Sequence, residues 1–391
     1  MQRSPSFVDG DTQSIPKYEM DTRMFLVMPD HQGKRSREAR TASSISICPV
    51  QDVANFDTGA SRYNPVRPRS FFLPLIILAA LFLSLGACTS SADLRQVEKE
   101  KAKAVKRYDV VQALVGNGEV VVGGSQAGAV LVAAEGGGEW RRIALAGASL
   151  TGLAACPDGG MIGIDFNHKV WSADRQGQAW QSAELDKPRV PLAITCDSQG
   201  RWWVAGSGAK IAVSADRGAH WPVTDLQEDA QFTTIQFTDD RHGIVLGEFG
   251  HVVVTDDAGA SWHKLSQIPG EFYPYAALFL DRNEGFASGI AGQILRTVDG
   301  GRTWTRMDNT SGAALYRLFL HEGQVHGVGA GGVIARLEQG QWRSVPYPDA
   351  VPAFLGSAAS VAGGIVIGGP GGLRRVPLAA DKSSIKQGAG A

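Results

Sequence analysis

A turn position returns seven times along the chain, at Gly128, Asn167, Ala209, Gly250, Gly292, Gly332 and Gly372, spaced by 39, 42, 41, 42, 40 and 40 residues. So steady a period demands a repeat architecture, because a unit of this size cannot bury both its faces alone and must stack on its neighbours. Around the fourth turn the chain reads FTTIQFTD, HGIVLGEFG, HVVVTDD and WHKLS, short apolar stretches bounded by Gly, Asp or Ser. Each has the length of a strand. Four strands in each of seven units predict an all-β fold, a seven-bladed β-propeller of four-stranded antiparallel blades. The seventh unit shows only three, in FLGSAAS, GGIVIGG and GGLRRVPL, so the N-terminal strand around Val105 to Val111 is expected to supply the fourth and close the ring. The propeller is predicted over residues 102–380, with a flexible tail over 381–391.

The third, fourth and fifth units carry the pattern S/T-x-D-x-G-x-x-W, which resembles the Asp box. It is filled by Ser214, Asp216, Gly218 and Trp221, then by Thr255, Asp257, Gly259 and Trp262, then by Thr297, Asp299, Gly301 and Trp304. The second unit holds it with one residue inserted, as Ser172, Asp174, Gly177 and Trp180. The outer copies decay: the first keeps Glu135, Gly137 and Trp140, the sixth only Trp342, and the seventh nothing. Every element has a structural task. The short oxygen-bearing side chains accept backbone N–H groups and hold a tight turn closed. Glycine takes a conformation that a Cβ resists, and the indole packs back on the sheet. One carboxylate and one hydroxyl are too few oxygens for a calcium loop, so no metal is expected.

A second signal lies upstream. Arg67 and Arg69 precede FFLPLIILAALFLSLGA and Cys88. A basic flank, a short apolar core and a small-residue exit describe an export signal, the apolar run being shorter than the roughly 20 residues of a spanning helix. Leu85, Gly86, Ala87 and Cys88 resemble a bacterial lipobox, predicting a lipoprotein signal peptide over 66–88 with Cys88 as its lipidated residue. Thr89 follows instead of Asp, which in that pattern implies the outer membrane. Residues 1–65 lack apolar periodicity and are read as disordered or as a misplaced start, and 89–101 as a charged tether.

What remains is short of chemistry. The formal net charge of −1 gives no electrostatic case for nucleic acid, and 48 glycines suit a turn-rich β protein. No catalytic constellation, cofactor motif or metal-ligand spacing stands out, and His321 and His326, which flank a strand turn, are read as surface residues. Cys156 and Cys196 occupy matching places in neighbouring units; innermost strands bring such positions close enough for a disulfide, while a pair of buried thiols is the preferred reading. Adjacent Trp202 and Trp203 point to opposite faces of one strand and are read as core. The long connection between the fourth and fifth units carries Phe272, Tyr273 and Tyr275, the candidates for a partner-binding patch.

The repeats together resemble the photosystem II assembly and stability factors, over about 110–380. The resemblance rests on the S/T-x-D-x-G-x-x-W runs and on a G-x-x-G turn at Gly247 to Gly250, Gly289 to Gly292, Gly329 to Gly332 and Gly369 to Gly372. It implies a non-catalytic scaffold, monomeric and membrane-anchored, that assists assembly or stability of a membrane protein complex. No residue ties the chain to a photosystem, and an envelope-exporter complex is an equivalent destination. The family's functional surface is rich in arginine; Arg296, Arg302, Arg306 and Arg317 lie in the fifth and sixth units but match no family position. The alternative is a secreted Asp-box glycoside hydrolase of sialidase type. It would need two carboxylates converging on the channel mouth about 5–10 Å apart.

Overall fold

The computed structural model describes residues 94–378, save 137, 146 and 351. Among these, the seven units form seven sheets around a central channel, as the period predicts. In the first five, four strands run in sequence order from the channel outwards. The second strand of each is buried along its whole length, as in Val120–Ser125, Met161–Asp165, Trp202–Gly206, Gly243–Gly247 and Gly285–Gly289. Such a strand is covered on both faces by the blades on either side, so its sequence is apolar or small without alternation.

The core therefore lies between blades. Trp203 of blade three meets Phe232, Ile235, Val245 and Trp262 of blade four, with the two indoles edge to face at 5.9 Å between ring centroids. Burying side chains of this size contributes roughly 1.5–3 kcal/mol each. Gly259 shows how close the approach is: its φ is +80°, and a Cβ there would lie 2.1 Å from the Trp203 ring. Trp202 faces the other side and packs with Ile162, Ile164 and Val170 of blade two, so both tryptophans are core.

Blades six and seven depart from four strands. Asp308–Asn309 adds to the outer edge of blade six, parallel to Gln341–Ser344, making five. Blade seven holds three, Ser357–Val361, Gly364–Gly369 and Gly372–Val376. The N-terminal strand expected to complete it meets it at one bridge, Val110 to Pro370, beside a hydrogen bond from the Gly371 N–H to the Asp109 carbonyl. Asp109 diverts the segment. Fully buried, it accepts from Ser125 Oγ at 2.7 Å, from the Lys106 N–H at 2.6 Å and from Arg142 Nη1 at 2.8 Å, which ties the incoming chain to blade one. Burial raises the carboxyl pKa, and these donors more than offset it, holding the group below its ordinary value.

Two readings are corrected. Cys156 and Cys196 are joined in a disulfide, Cα to Cα 5.1 Å, rather than being buried thiols. Cys156 follows and Cys196 ends an innermost strand, Leu150–Ala155 and Pro191–Cys196 respectively, where adjacent blades converge. His321 and His326 are buried, not superficial: His321 ends the inner strand of blade six and its Nδ1 bonds Ser360 Oγ of blade seven at 2.9 Å, while His326 stacks on Phe319. Burial pushes His326 down to about 4.

Within the predicted tether, Arg95–Ala102 is a helix with no buried residue. Among the described residues no helix is long and apolar enough to cross a membrane. The segments 1–65 and 66–88, Cys88, Gly137 and the tail 381–391 lie outside the described residues.

Candidate functional site

The ring has two ends, which differ in construction. At one, the third and fourth strands of a blade are joined by the Asp-box turns. In blade four Thr255 Oγ1 donates to Asp257 Oδ1 at 2.8 Å and accepts from the Gly259 N–H at 2.8 Å, while Asp257 accepts from the Ser261 N–H at 2.9 Å and its hydroxyl at 2.6 Å. Blade five repeats this with Thr297, Asp299, Gly301 and Thr303. Blade three does so with Ser214, Asp216, Gly218 and the His220 N–H. The donors hold Asp257 and Asp216 at about 2, led by the Ser261 hydroxyl and the His220 ring respectively. In blade two the inserted residue changes the wiring. Asp174 accepts from the Gln176 and Gln178 N–H groups at 3.0 and 2.7 Å, and Ser172 sits in the strand pairing with Gln181. Trp180 and Trp304 each close the turn with an Nε1 bond of 3.0 Å, to the carbonyls of Gly177 and Gly301. Trp221 and Trp262 complete the other two boxes by packing between blades.

A cavity of ≈ 800 Å³ lies on this face between blades two and three. Its acids are committed: Asp158 accepts from the Gly160 N–H at 2.9 Å and Asp174 from its own turn. Among the described residues no group of acids, histidines or cysteines could hold a metal ion.

At the opposite end the inner strands begin. Six of them carry a β-bulge after the first residue, placing Gln112, Thr151, Leu192, Thr233, Tyr275 and Tyr316 along the channel wall. A bulge re-aims a side chain at small cost to the ladder. The next position reads Ala113, Gly152, Ala193, Thr234, Ala276, Arg317 and Ser357 around the ring. Six are small and one is an arginine. The channel encloses ≈ 210 Å³, and among the described residues no carboxylate lines it.

Around this mouth stand aromatic residues. Tyr273, Tyr275 and Tyr316 form a chain with ring centroids 5.8 and 5.3 Å apart. Burial raises the pKa of Tyr273 and Tyr275, so both phenols stay protonated and able to donate. Phe272, from the same connection, is 1 % exposed and packs in the core of blades four and five, so it cannot touch a partner. Phe166, Phe249 and Phe354 project instead, from the turns of blades two and four and from the entry to blade seven. Sequence reading passed over them because a lone Phe beside a strand resembles core. Phe249 is the most telling. It is 53 % exposed and holds φ 58°, ψ 20°, where the matching turns of blades five and six place Ala291 and Gly331. A bulky side chain in the left-handed region costs about 1–3 kcal/mol and persists where something else requires it.

Seven closed blades, Asp-box turns on one end and a lined channel mouth on the other define the class, an Asp-box β-propeller. Within it the chain is similar, over part of its length, to the photosystem II assembly factors. Residues 172–345 match the family described as "Photosynthesis system II assembly factor YCF48". The "Photosystem II assembly lipoprotein Ycf48" of Synechococcus sp. (strain CC9902) is 33% identical over 105 residues, 25% of this chain and 32% of that protein, so the chain spans about a third of this relative's length. YCF48 from Cyanidioschyzon merolae superposes with a TM-score of 0.56 at 16% identity, over 69% of this chain and 96% of that one. A structure of YCF48 bound to D1 peptide gives 0.57 at 12%, over 70% and 94%. Virginiamycin B lyase from Staphylococcus aureus gives 0.60 at 15%, over 70% and 96%; at such identity the likeness is one of fold.

Proposed function

We propose that the protein is a non-catalytic, membrane-anchored scaffold that assists assembly or stability of a membrane protein complex, and that it grips its partner with the strand-start face. The exposed, conformationally strained Phe249 carries this reading: the turn holds an aromatic residue where its sister turns hold Ala or Gly. Exposed aromatic anchors beside a concave mouth are the usual centres of protein interfaces. All exposed phenylalanines of the described residues, Phe166, Phe249 and Phe354, stand at this end. The peptide-bound structure among the similar propellers supports a protein partner. That no carboxylate lines the channel, and that the Asp-box acids serve their own turns, supports a scaffold over a hydrolase.

Anchoring is assigned to Cys88, as the lipidated first residue after cleavage of 66–88, with 89–101 as tether and the propeller exported beyond the inner membrane, on the periplasmic side of the outer membrane. The lipoprotein name of the Synechococcus relative supports this, as does the Cys156–Cys196 disulfide, a bond that persists in oxidising compartments. The test pairs two variants. Cys88→Ala should move the protein from the membrane to the soluble fraction, and Phe249→Gly should abolish co-purification of a membrane protein without unfolding the ring. Equal membrane retention of Cys88→Ala overturns the anchor; undiminished co-purification with Phe249→Gly overturns the face.

A further inference from the structure

Among the described residues lining the channel, Arg317 is the only one with a charged side chain. It also stands apart from the other arginines of its region. Arg296 pairs with Glu284 at 2.6 Å, Arg302 donates to the Asp299 carbonyl at 2.8 Å and Arg336 pairs with Glu338, but no hydrogen bond or ion pair from any described residue reaches the Arg317 side chain. Its surface is open to the water of the channel, yet protein surrounds it, and this loss of bulk solvent lowers its pKa from the ordinary guanidinium value. A guanidinium with no protein counter-charge in so narrow a channel is available to an anionic ligand. The six other blades show that a small residue suffices to build this position, so packing does not call for the arginine.

We infer that Arg317 is a binding site for a carboxylate that enters the channel from the strand-start mouth. One guanidinium balances one negative charge, and its planar fork matches a carboxylate through two parallel N–H···O bonds. A phosphate dianion would keep a charge uncompensated in a channel whose wall offers no second cation. The phenols of Tyr275 and Tyr316 and the hydroxyl of Thr233 line the same wall and supply donors. A volume of ≈ 210 Å³ admits a small organic acid or the last residue of a polypeptide, and both present the same group. The inference is independent of the partner-binding reading, since a free acid would occupy the channel whether or not the outer face binds protein.

The experiment uses the intact propeller with three probes: an acetylated tripeptide with a free C-terminus, its C-terminal amide, and propionate. Calorimetric titration of the wild type should show the acids binding with one site and the amide at least about tenfold weaker. Arg317→Ala should lose at least about tenfold in acid affinity while melting at the same temperature, because no protein group is bonded to this guanidinium. Arg317→Lys, which keeps the charge without the fork, should fall between. Propionate binding as well as the peptide identifies a free acid as the source; peptide binding alone identifies a chain terminus. Equal affinity for acid and amide, unchanged affinity in Arg317→Ala, tighter binding of inorganic phosphate than of either acid, or no acid binding at about 10 mM would each overturn the inference.

Discussion

The two ends of the ring use the repeat in opposite ways. At the Asp-box end, three blades place the same hydroxyl, carboxylate and glycine in the same bonds, within about a tenth of an ångström of one another. At the strand-start end, equivalent positions hold different residues: Phe249 against Ala291 and Gly331, Arg317 against six small side chains. Repetition marks what every blade needs in order to stand, and departure from it marks what a single blade contributes to the whole. A change at the first end should therefore be felt as stability, and a change at the second as binding.

The largest expected effect tests the first half of that contrast. Replacing Cys156 and Cys196 by serine removes a cross-link closing a 40-residue separation, worth about 4 kcal/mol in the chain-entropy account. Thermal unfolding should fall by roughly 5–10 °C with partner capture unchanged. Next comes acid. The buried His326, near the Asp-box end, is held at about 4 in the fold against about 6.5 in the unfolded chain, so its contribution is complete above pH 6.5 and is lost as pH falls towards 4. Denaturant titrations should show about 3 kcal/mol lost across that window, and His326→Asn should flatten the slope. Thr255→Val leaves the Gly259 N–H and Asp257 short of a partner and should cost about 1–3 kcal/mol, read from a urea midpoint. Smallest in stability is Phe249→Gly, where relief of the left-handed strain offsets the freedom gained by the unfolded chain; a shift within about 1 kcal/mol is expected. That variant alone of the four should lose the partner. If a serine pair at the disulfide abolished capture, or Phe249→Gly left it intact, the division of labour between the two ends would fail.

Much of the fold was readable because a repeat shows its own period, and the Asp-box residues stand out because their roles are local, set by bonds within five residues of chain. The site was hidden for the same reason reversed. Arg317 appears in the sequence beside Arg296, Arg302 and Arg306 with nothing to separate them. Only the bulge at Tyr316, a break in strand alternation, puts it on the channel wall. Aligning the inner strands unit against unit would have shown one large residue in a column of small ones. His321 and His326 misled for a different reason: polar side chains beside a turn read as superficial, whereas the next blade covers them and Ser360 supplies a partner. At the seventh blade the N-terminal segment expected to close the ring does meet it, through the Val110–Pro370 bridge and the Gly371 N–H, though the bonds of Asp109 to blade one keep that pairing short.

The disulfide also fixes where the ring is vulnerable. It rivets blade two to blade three, while the junction of blades seven and one is held by side-chain packing, a Ser357 hydroxyl reaching the Val111 carbonyl at 3.3 Å and an Arg375 guanidinium reaching the Glu135 carbonyl at 3.0 Å. Because the N-terminal segment runs into that junction through Asp109 and Val110, any pull along the tether bears first on the contact between blades seven and one.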